Sequence, residues 1–513
     1  MSGEYRERAR RFARHHTALC DGATLIYAGT LLARAAQRWP HKIALIAGSE
    51  SISYETLFDR ASAISELLVK QGVGVGDRVL LIWENSIEFY AAYYGIWQTG
   101  AVVAPLNIFL HPHELEHIIT DAAPRAIIAS AKQQEKLAQL TITLPLCIDG
   151  QAIISAYRPK KLFTPITQKG DVLAALLYTS GTTGLPKGVM LSSDAILTNV
   201  AQGLSVFEQQ ENERAYAALP LFHSFMQSCV VWGAVAVGAA VIIVPHLDRR
   251  AIKEGFAHKP TAVFGVPGLF GLFALMKSLP FDTVQYSICG GDALPEKIRM
   301  AFELVYGRKL CNGYGLTEAA PFVSIDVDET AQPLNGVGRP MVGMDIEIRA
   351  ESGEVLPRGE IGELCIRGSN LMMGYYNAPD ATATTLVDGW LLTGDLAREA
   401  ADGSIIICGR RKDLIVHKGI NIYPQEIENI LMLHPLVTHA AVVGKVDESV
   451  GEVPVAFVAT RTSSDKLVQE LETLCKTHCA PYKIPRAIFV ERELPLTSTG
   501  KVDKKILRKK LSA

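Results

Sequence analysis

The stretch "YTSGTTGLPKGVM", Tyr178 to Met190, sets three glycines, four Ser or Thr hydroxyls and one lysine between two apolar runs. It leaves the apolar "AALLYTS", turns through glycine and returns in the apolar "GVMLS". No core is gained from such a segment, and each glycine costs backbone entropy on folding. Its backbone N–H groups and hydroxyls lie at the carboxyl end of a strand, where open α/β sheets bind ligands. With Lys187 as a cation, the group it suits is a polyphosphate. The commoner phosphate motifs fail here. Lys187 follows Pro186 and precedes Gly188, whereas a Walker loop needs Lys followed by Ser or Thr. "GVGVGD", Gly72 to Asp77, precedes a strand instead of following one, so the dinucleotide fingerprint fails too. The kinase catalytic-loop and magnesium motifs are absent. Read by composition alone, the stretch could equally be a plain surface turn.

Outward from the loop, strand and helix patterns alternate. "DRVLLIW" (Asp77 to Trp83) reads as a buried strand, "SIEFYAAYYGIWQTG" as a helix ending at Gly100, and "AVVAPLN" as the next strand. "HPHELEHIITDA" is then a helix and "RAIIAS" a strand, which together imply a parallel sheet with helices on both faces. A second such series is expected after Asp171, with "VLAALLYTS", "AAVIIVP", "TAVFGVP" and "YSICGG" as its strands. After about Pro333 the pattern changes to period two with many turns, which predicts a small antiparallel sheet or barrel. Beyond "GRRKDLIVHKG" lies a stretch of about a hundred residues, the size of a small α+β domain. The fold class is therefore α/β: a large N-terminal domain of doubly wound sheets plus a small β-barrel-like subdomain, then a small α+β C-terminal domain. The expected division is 1–411 and 412–513.

At 513 residues the chain is too long for one core. Fifty-one Lys and Arg against 53 Asp and Glu leave no basic field for nucleic acid. Nine scattered cysteines fit reduced thiols and a cytoplasmic location better than a disulfide framework. "MSGEYRERARRFARHH" lacks an apolar h-region and reads as a solvated N-terminal helix. The longest apolar run, Cys229 to Pro245, is short for a membrane span and is broken by Gly233 and Gly238. It reads as a buried helix and a strand, with peripheral membrane contact left open.

"YTSGTTGLPKG" resembles the signature loop of the adenylate-forming superfamily, which contains acyl-CoA synthetases, luciferases and peptide-synthetase adenylation domains. The family's other motifs follow in order: "LPLFH" ending at His223, "GGDALP" from Gly290, "NGYGLTE" from Asn312 to Glu318, "LLTGD" ending at Asp395, "GRRKD" from Gly409 and "PLTSTGKVDK" carrying Lys501. The resemblance spans roughly Tyr27 to Leu507. It implies two half-reactions: a carboxylate attacks the α-phosphate of ATP, and a thiol, usually that of coenzyme A, then displaces AMP. Phosphoryl transfer of this kind needs positioning and charge stabilisation and no protein nucleophile, so Cys229, Cys289 and Cys311 are expected to be core thiols.

By the resemblance, Thr179, Ser180, Gly181, Thr182, Thr183, Gly184 and Lys187 wrap the phosphates. Glu318 holds Mg2+ with help from the Thr179 hydroxyl, and Thr317 touches the α-phosphate. Tyr314 stacks on adenine in a slot completed by Gly290, Asn312, Gly313 and Gly315. Asp395 accepts the ribose hydroxyls beside Arg410. Lys501 is the catalytic lysine of a C-terminal domain that rotates about Lys412, and Gly419 then lies along the pantetheine tunnel. His223, Phe225 and Val266 are expected to line the acyl pocket. Val416 departs from luciferase-like relatives, which carry lysine at that position.

"LPLFHSF" lacks the Asp with which peptide-synthetase domains hold an amino group, and the chain ends soon after Lys501. "VFGVPGLFGLFALM" supplies an apolar wall without Arg or Lys. The expected activity is that of a medium- or long-chain fatty acid–CoA ligase acting with ATP, Mg2+ and coenzyme A, as a monomer or homodimer. An aryl-CoA ligase and an acyl-AMP ligase serving a carrier protein are the alternatives.

Overall fold

The computed structural model describes residues 3–150, 162–179, 185–206, 212–327, 333–461, 466–496 and 501–512. Two large sheets form its body. One runs in the spatial order Gly374–Tyr375, Lys187–Ser192, Leu173–Thr179, Val102–Pro105, Arg78–Ile82, Ala126–Ala129, Leu146–Asp149. The other runs Arg339–Pro340, Phe322–Ile325, Cys311–Gly315, Tyr286–Cys289, Ala262–Gly265, Arg214–Ala217, Ala240–Ile243, Ile43–Ala47, Glu50–Ser53. The central strands of both are parallel, as the buried runs without polar alternation require.

Helix Ile87–Gln98 joins the two lobes. It is capped by the Ser86 hydroxyl, which accepts from Phe89 N at 3.3 Å, and every residue in it except Glu88 is buried. Trp97 Nε1 donates to Ala174 O of the first sheet at 2.8 Å. Tyr94 and Tyr93 donate to Val231 O and Gln227 Oε1, at 2.5 and 2.9 Å. Each aromatic therefore buries a large apolar body, a gain of about 1.5–3 kcal/mol, and leaves no polar atom stranded at those bonds.

Two expectations need correction. Leu173–Thr179 does not begin the second sheet. It pairs in parallel with Val102–Pro105 and antiparallel with Lys187–Ser192, so it extends the first. The second sheet takes the hairpin Ile43–Ser53 in its place. A buried strand's apolar run does not name its neighbour, so the order was open to either arrangement. The N-terminal helix, Gly3–Ala18, is also not simply solvated. It packs on helix Ser193–Val206, with Phe12 against the main core and Leu19 buried.

The antiparallel subdomain expected after Pro333 consists of Met344–Arg349, Gly362–Gly368, Trp390–Glu399, Leu386–Val387 and Ile405–Arg410. The last hundred residues form a separate five-stranded sheet built on the hairpin Val437–Asp447 and Gly451–Thr460. Helices Pro424–Met432 and Leu467–His478 cover one face through Ile427, Leu431, Leu471 and Cys475. Helix Lys504–Ser512 covers the other through Leu507. Among the described residues, no helix is long and apolar enough to cross a membrane.

Candidate active site

The strands on either side of the glycine loop pair antiparallel, Thr179 with Lys187 and Tyr178 with Gly188. Ser180, Gly181, Thr182, Thr183 and Gly184 lie outside the described residues. Tyr178 OH donates to Asp121 Oδ2 at 2.6 Å, which ties the outgoing strand to helix Pro112–Ala122. Lys187 Nζ stands 5.2 Å above the Tyr375 ring, and Tyr375 OH donates to Glu318 Oε1 at 2.8 Å. The cation and the carboxylate expected around the phosphates are thus bridged by one tyrosine. Nothing near Tyr375 in the sequence marks it. It sits in a turn-rich segment without strand periodicity, and its role comes from pairing Val189 across a sheet edge.

Burial pushes the Glu318 carboxyl above its ordinary range, against its own backbone N–H, the Tyr375 hydrogen bond and the Arg410 charge. Such a carboxylate gains most from a cation. Among the described residues no cluster of three or more His, Cys, Asp or Glu could hold a metal. An ion at Glu318 would therefore share phosphate oxygens, which suits Mg2+. Thr317, one residue earlier, meets the hydroxyl of Ser224 at 3.0 Å, a partner that sequence reasoning missed.

The residues expected to form an adenine slot lie where strand Tyr286–Cys289 ends beside strand Cys311–Gly315. Cys289 pairs with Asn312, so Gly290 and Gly313 face each other. A Cβ on Gly290 would touch Gly313 O at 3.4 Å and Phe225 Cζ at 3.6 Å. Gly315 is pressed against Pro321, whose carbonyl oxygen would lie 2.3 Å from a Cβ. Asn312 Nδ2 donates to Gly336 O at 2.9 Å, while its buried Oδ1 has no hydrogen-bond partner among the described residues. Tyr314 OH donates to Asp395 Oδ2 at 2.6 Å, and Arg410 Nε lies 3.2 Å from Asp395 Oδ1. Strand register sets this pair too, since Asp395 lies opposite Arg410.

His223 caps the short helix Ser224–Met226, its Nδ1 accepting from Phe225 N at 3.3 Å. Burial, and then the Lys501 charge, lower its pKa to about 4. Phe225 meets Phe264 and Phe322 edge-on at 6.3 and 6.1 Å. Val266 reaches the same corner, 3.6 Å from a Cβ built on Gly291. Behind Phe225 is a narrow void of about 10 Å³ lined by Val200, Leu204, Cys229 and Phe264 without a charged group. Cys229, Cys289 and Cys311 are buried, and burial raises all three thiols.

Lys501 enters this site from the C-terminal sheet's side of the molecule. Burial lowers its pKa; Asp292 and Asp395 oppose the shift and Arg410 adds to it. Lys412 sits between two anchored neighbours. Arg411 Nη1 binds Glu363 Oε2 at 2.6 Å, and Asp413 accepts from Arg508 at 2.6 Å. Gly419 is not part of the assembled site. It is exposed in the turn joining Ile415–His417 to Ile420–Ile422, at φ +76° with open space around it.

Residues of these kinds, a buried carboxylate, a phosphate-side lysine and an Asp–Arg pair beside a tyrosine, are those expected of a nucleotide-dependent, acyl-activating enzyme. The AMP-binding enzyme family model matches residues 32–376 and the AMP-binding enzyme C-terminal domain model matches residues 426–501. The chain belongs to this family, the adenylate-forming superfamily, and within it to the acyl-CoA synthetases. It is 33% identical over 488 residues to a feruloyl-CoA synthase from Amycolatopsis sp, covering 94% of this chain and 98% of the relative. It is 31% identical over 529 residues to a long-chain-fatty-acid–CoA ligase from Bacillus subtilis, covering 94% and 93%. Among solved structures, ATP-bound MatB from Rhodopseudomonas palustris superposes with a TM-score of 0.86 at 28% identity, over 94% of this chain and 98% of that one. The apo form of MatB gives 0.76 over the same shares.

Proposed function

We propose that this protein is an ATP-dependent synthetase that activates an apolar monocarboxylic acid, of the medium- or long-chain fatty type, and transfers the acyl group to coenzyme A. In the first half-reaction a carboxylate oxygen bonds to the α-phosphorus, and the bond to the departing pyrophosphate breaks. In the second, the thiol sulfur bonds to the acyl carbon, the mixed-anhydride C–O bond breaks, and AMP leaves with the electron pair. Lys187 and the hydroxyls from Thr179 onward bind the phosphates. Glu318 and Thr179 would hold Mg2+, which supplies charge neutralisation when bound with the nucleotide. Tyr314, tethered through its hydroxyl, offers its ring to adenine, while Asp395 and Arg410 take the ribose.

The observation that carries this reading is the meeting of Lys501 with the site. A cation beside Asp395, Arg410 and His223 stands where two anionic reactants must approach each other. The better superposition on the ATP-bound relative than on its apo form supports an adenylating orientation of residues 412–513 about Lys412. The similarity to a long-chain-fatty-acid–CoA ligase supports an apolar acid without a second charge. Nine free thiols fit a reducing compartment such as the cytoplasm.

A second reading, an aryl acid, is favoured by the similarity to feruloyl-CoA synthase. One panel tests both: thioester formation with and without coenzyme A, across alkanoic acids of rising length and hydroxycinnamic acids. Within it, Lys501→Ala should depress acid-dependent ATP–pyrophosphate exchange by on the order of a hundred- to thousandfold. The same variant should still form thioester from supplied acyl adenylate. Equal loss in both half-reactions sinks the two-orientation reading.

A further inference from the structure

The two units meet across a hollow. A cavity of about 650 Å³ lies between helix Glu296–Tyr306 and strand Ile405–Arg410 on one side and helix Pro424–Met432 on the other. Ile406 and Ile407 line its near wall, and Tyr423, Ile430 and Leu433 its far wall. Side chains lining a space that admits water do not pack on one another across it, so apolar packing holds this part of the interface weakly. Polar links across its rim then count for more.

One such link is direct. Lys297 Nζ donates to Pro435 O at 2.9 Å and lies 3.4 Å from His434 O, in the turn that follows helix Pro424–Met432. These carbonyls lie beyond the negative end of that helix, where a cation is favoured. The neighbouring cation is committed to its own helix, since Arg299 is held by Glu296 and Glu303. Lys297 meets no carboxylate among the described residues; its ammonium spans the units instead.

We propose that Lys297 is a positioning residue, a latch that holds the C-terminal unit in the orientation that brings Lys501 to the nucleotide. Rotation of that unit has to break both carbonyl contacts, so the latch acts in one half-reaction and is released for the other. This inference rests on the two-orientation reading above and goes beyond it by naming what biases the equilibrium. Lys297 is itself exposed and touches no reacting group, so its loss leaves the nucleotide site intact.

The test compares half-reactions in the full-length protein. Lys297→Ala should slow ATP–pyrophosphate exchange about two- to tenfold, the worth of one net hydrogen bond. Thioester formation from supplied acyl adenylate and coenzyme A should proceed at the wild-type rate or faster, with no change in Tm. Lys297→Arg, which keeps a donor for carbonyls, should restore exchange. Unchanged exchange in Lys297→Ala, or equal slowing of both half-reactions, overturns the latch. Lys501→Ala run alongside separates the failures. If it splits the half-reactions and Lys297→Ala does not, only the latch is wrong; if neither splits them, the two-orientation reading is wrong.

Discussion

His223 shows how one side chain's environment becomes a property of the whole protein. Its pKa falls from the ordinary 6.5 to about 4, because burial and then Lys501 disfavour the imidazolium. Between those values the unfolded chain binds a proton at this residue and the folded chain does not. Its contribution to stability is therefore full above pH 6.5 and is lost as pH falls toward 4. His223→Gln, which can still accept from Phe225 N, removes that dependence. Wild type should lose more Tm than the variant between pH 7 and pH 5, and parallel curves would show that the imidazole is not so confined. Sequence order sufficed to single out His223, Glu318, Asp395 and Lys501, because each stands in a motif of fixed spacing. Tyr375 and Ser224 were illegible. A tyrosine in a loop and a serine beside a histidine have no local signature, and both acquire their partners only across the fold.

At the scale of elements, the site is a product of strand ends in register. Gly290 follows the end of strand Tyr286–Cys289 and lies beside Gly313, in the middle of strand Cys311–Gly315, so a Cβ on Gly290 would stand 3.4 Å from Gly313 O. Gly290→Val should keep the fold, since the Cβ itself makes only a tight contact and an ordinary one, but its methyl groups would enter the slot. KM for ATP should rise at least about tenfold while Tm changes little, a loss of roughly 1.4 kcal/mol of binding. An unchanged KM would move the adenine elsewhere. Element identity was largely readable from the residues: the buried strands, the helix Ile87–Gln98 and the switch to an antiparallel subdomain all follow from periodicity. Sheet membership was not. Leu173–Thr179 is as apolar as any parallel strand, yet it pairs antiparallel with Lys187–Ser192 as well as in parallel with Val102–Pro105.

For the molecule as a whole, the C-terminal sheet has a core of its own, as the proposed turning about Lys412 requires, and the residues on either side of Lys412 are anchored. Gly419, remote from contacts in this orientation, tests the other one. Its φ of +76° strains any side chain, by about 1–2 kcal/mol, so Gly419→Asn, which tolerates that conformation, serves as the control. Gly419→Leu should slow thioester formation from acyl adenylate much more than Gly419→Asn does, with ATP–pyrophosphate exchange preserved in both. Loss of exchange in Gly419→Leu would place this turn at the nucleotide instead. The second sheet carries a different consequence, one for synthesis on the ribosome. Its hairpin Ile43–Ser53 is completed by Ala240–Ile243, encoded roughly 200 codons later. At about 5–20 residues per second, the edge of Ile43–Ala47 waits on the order of 10–40 s before its partner emerges. During that interval the nascent hairpin presents one open strand edge, the window in which a chaperone bound near the N-terminus would have most effect on yield.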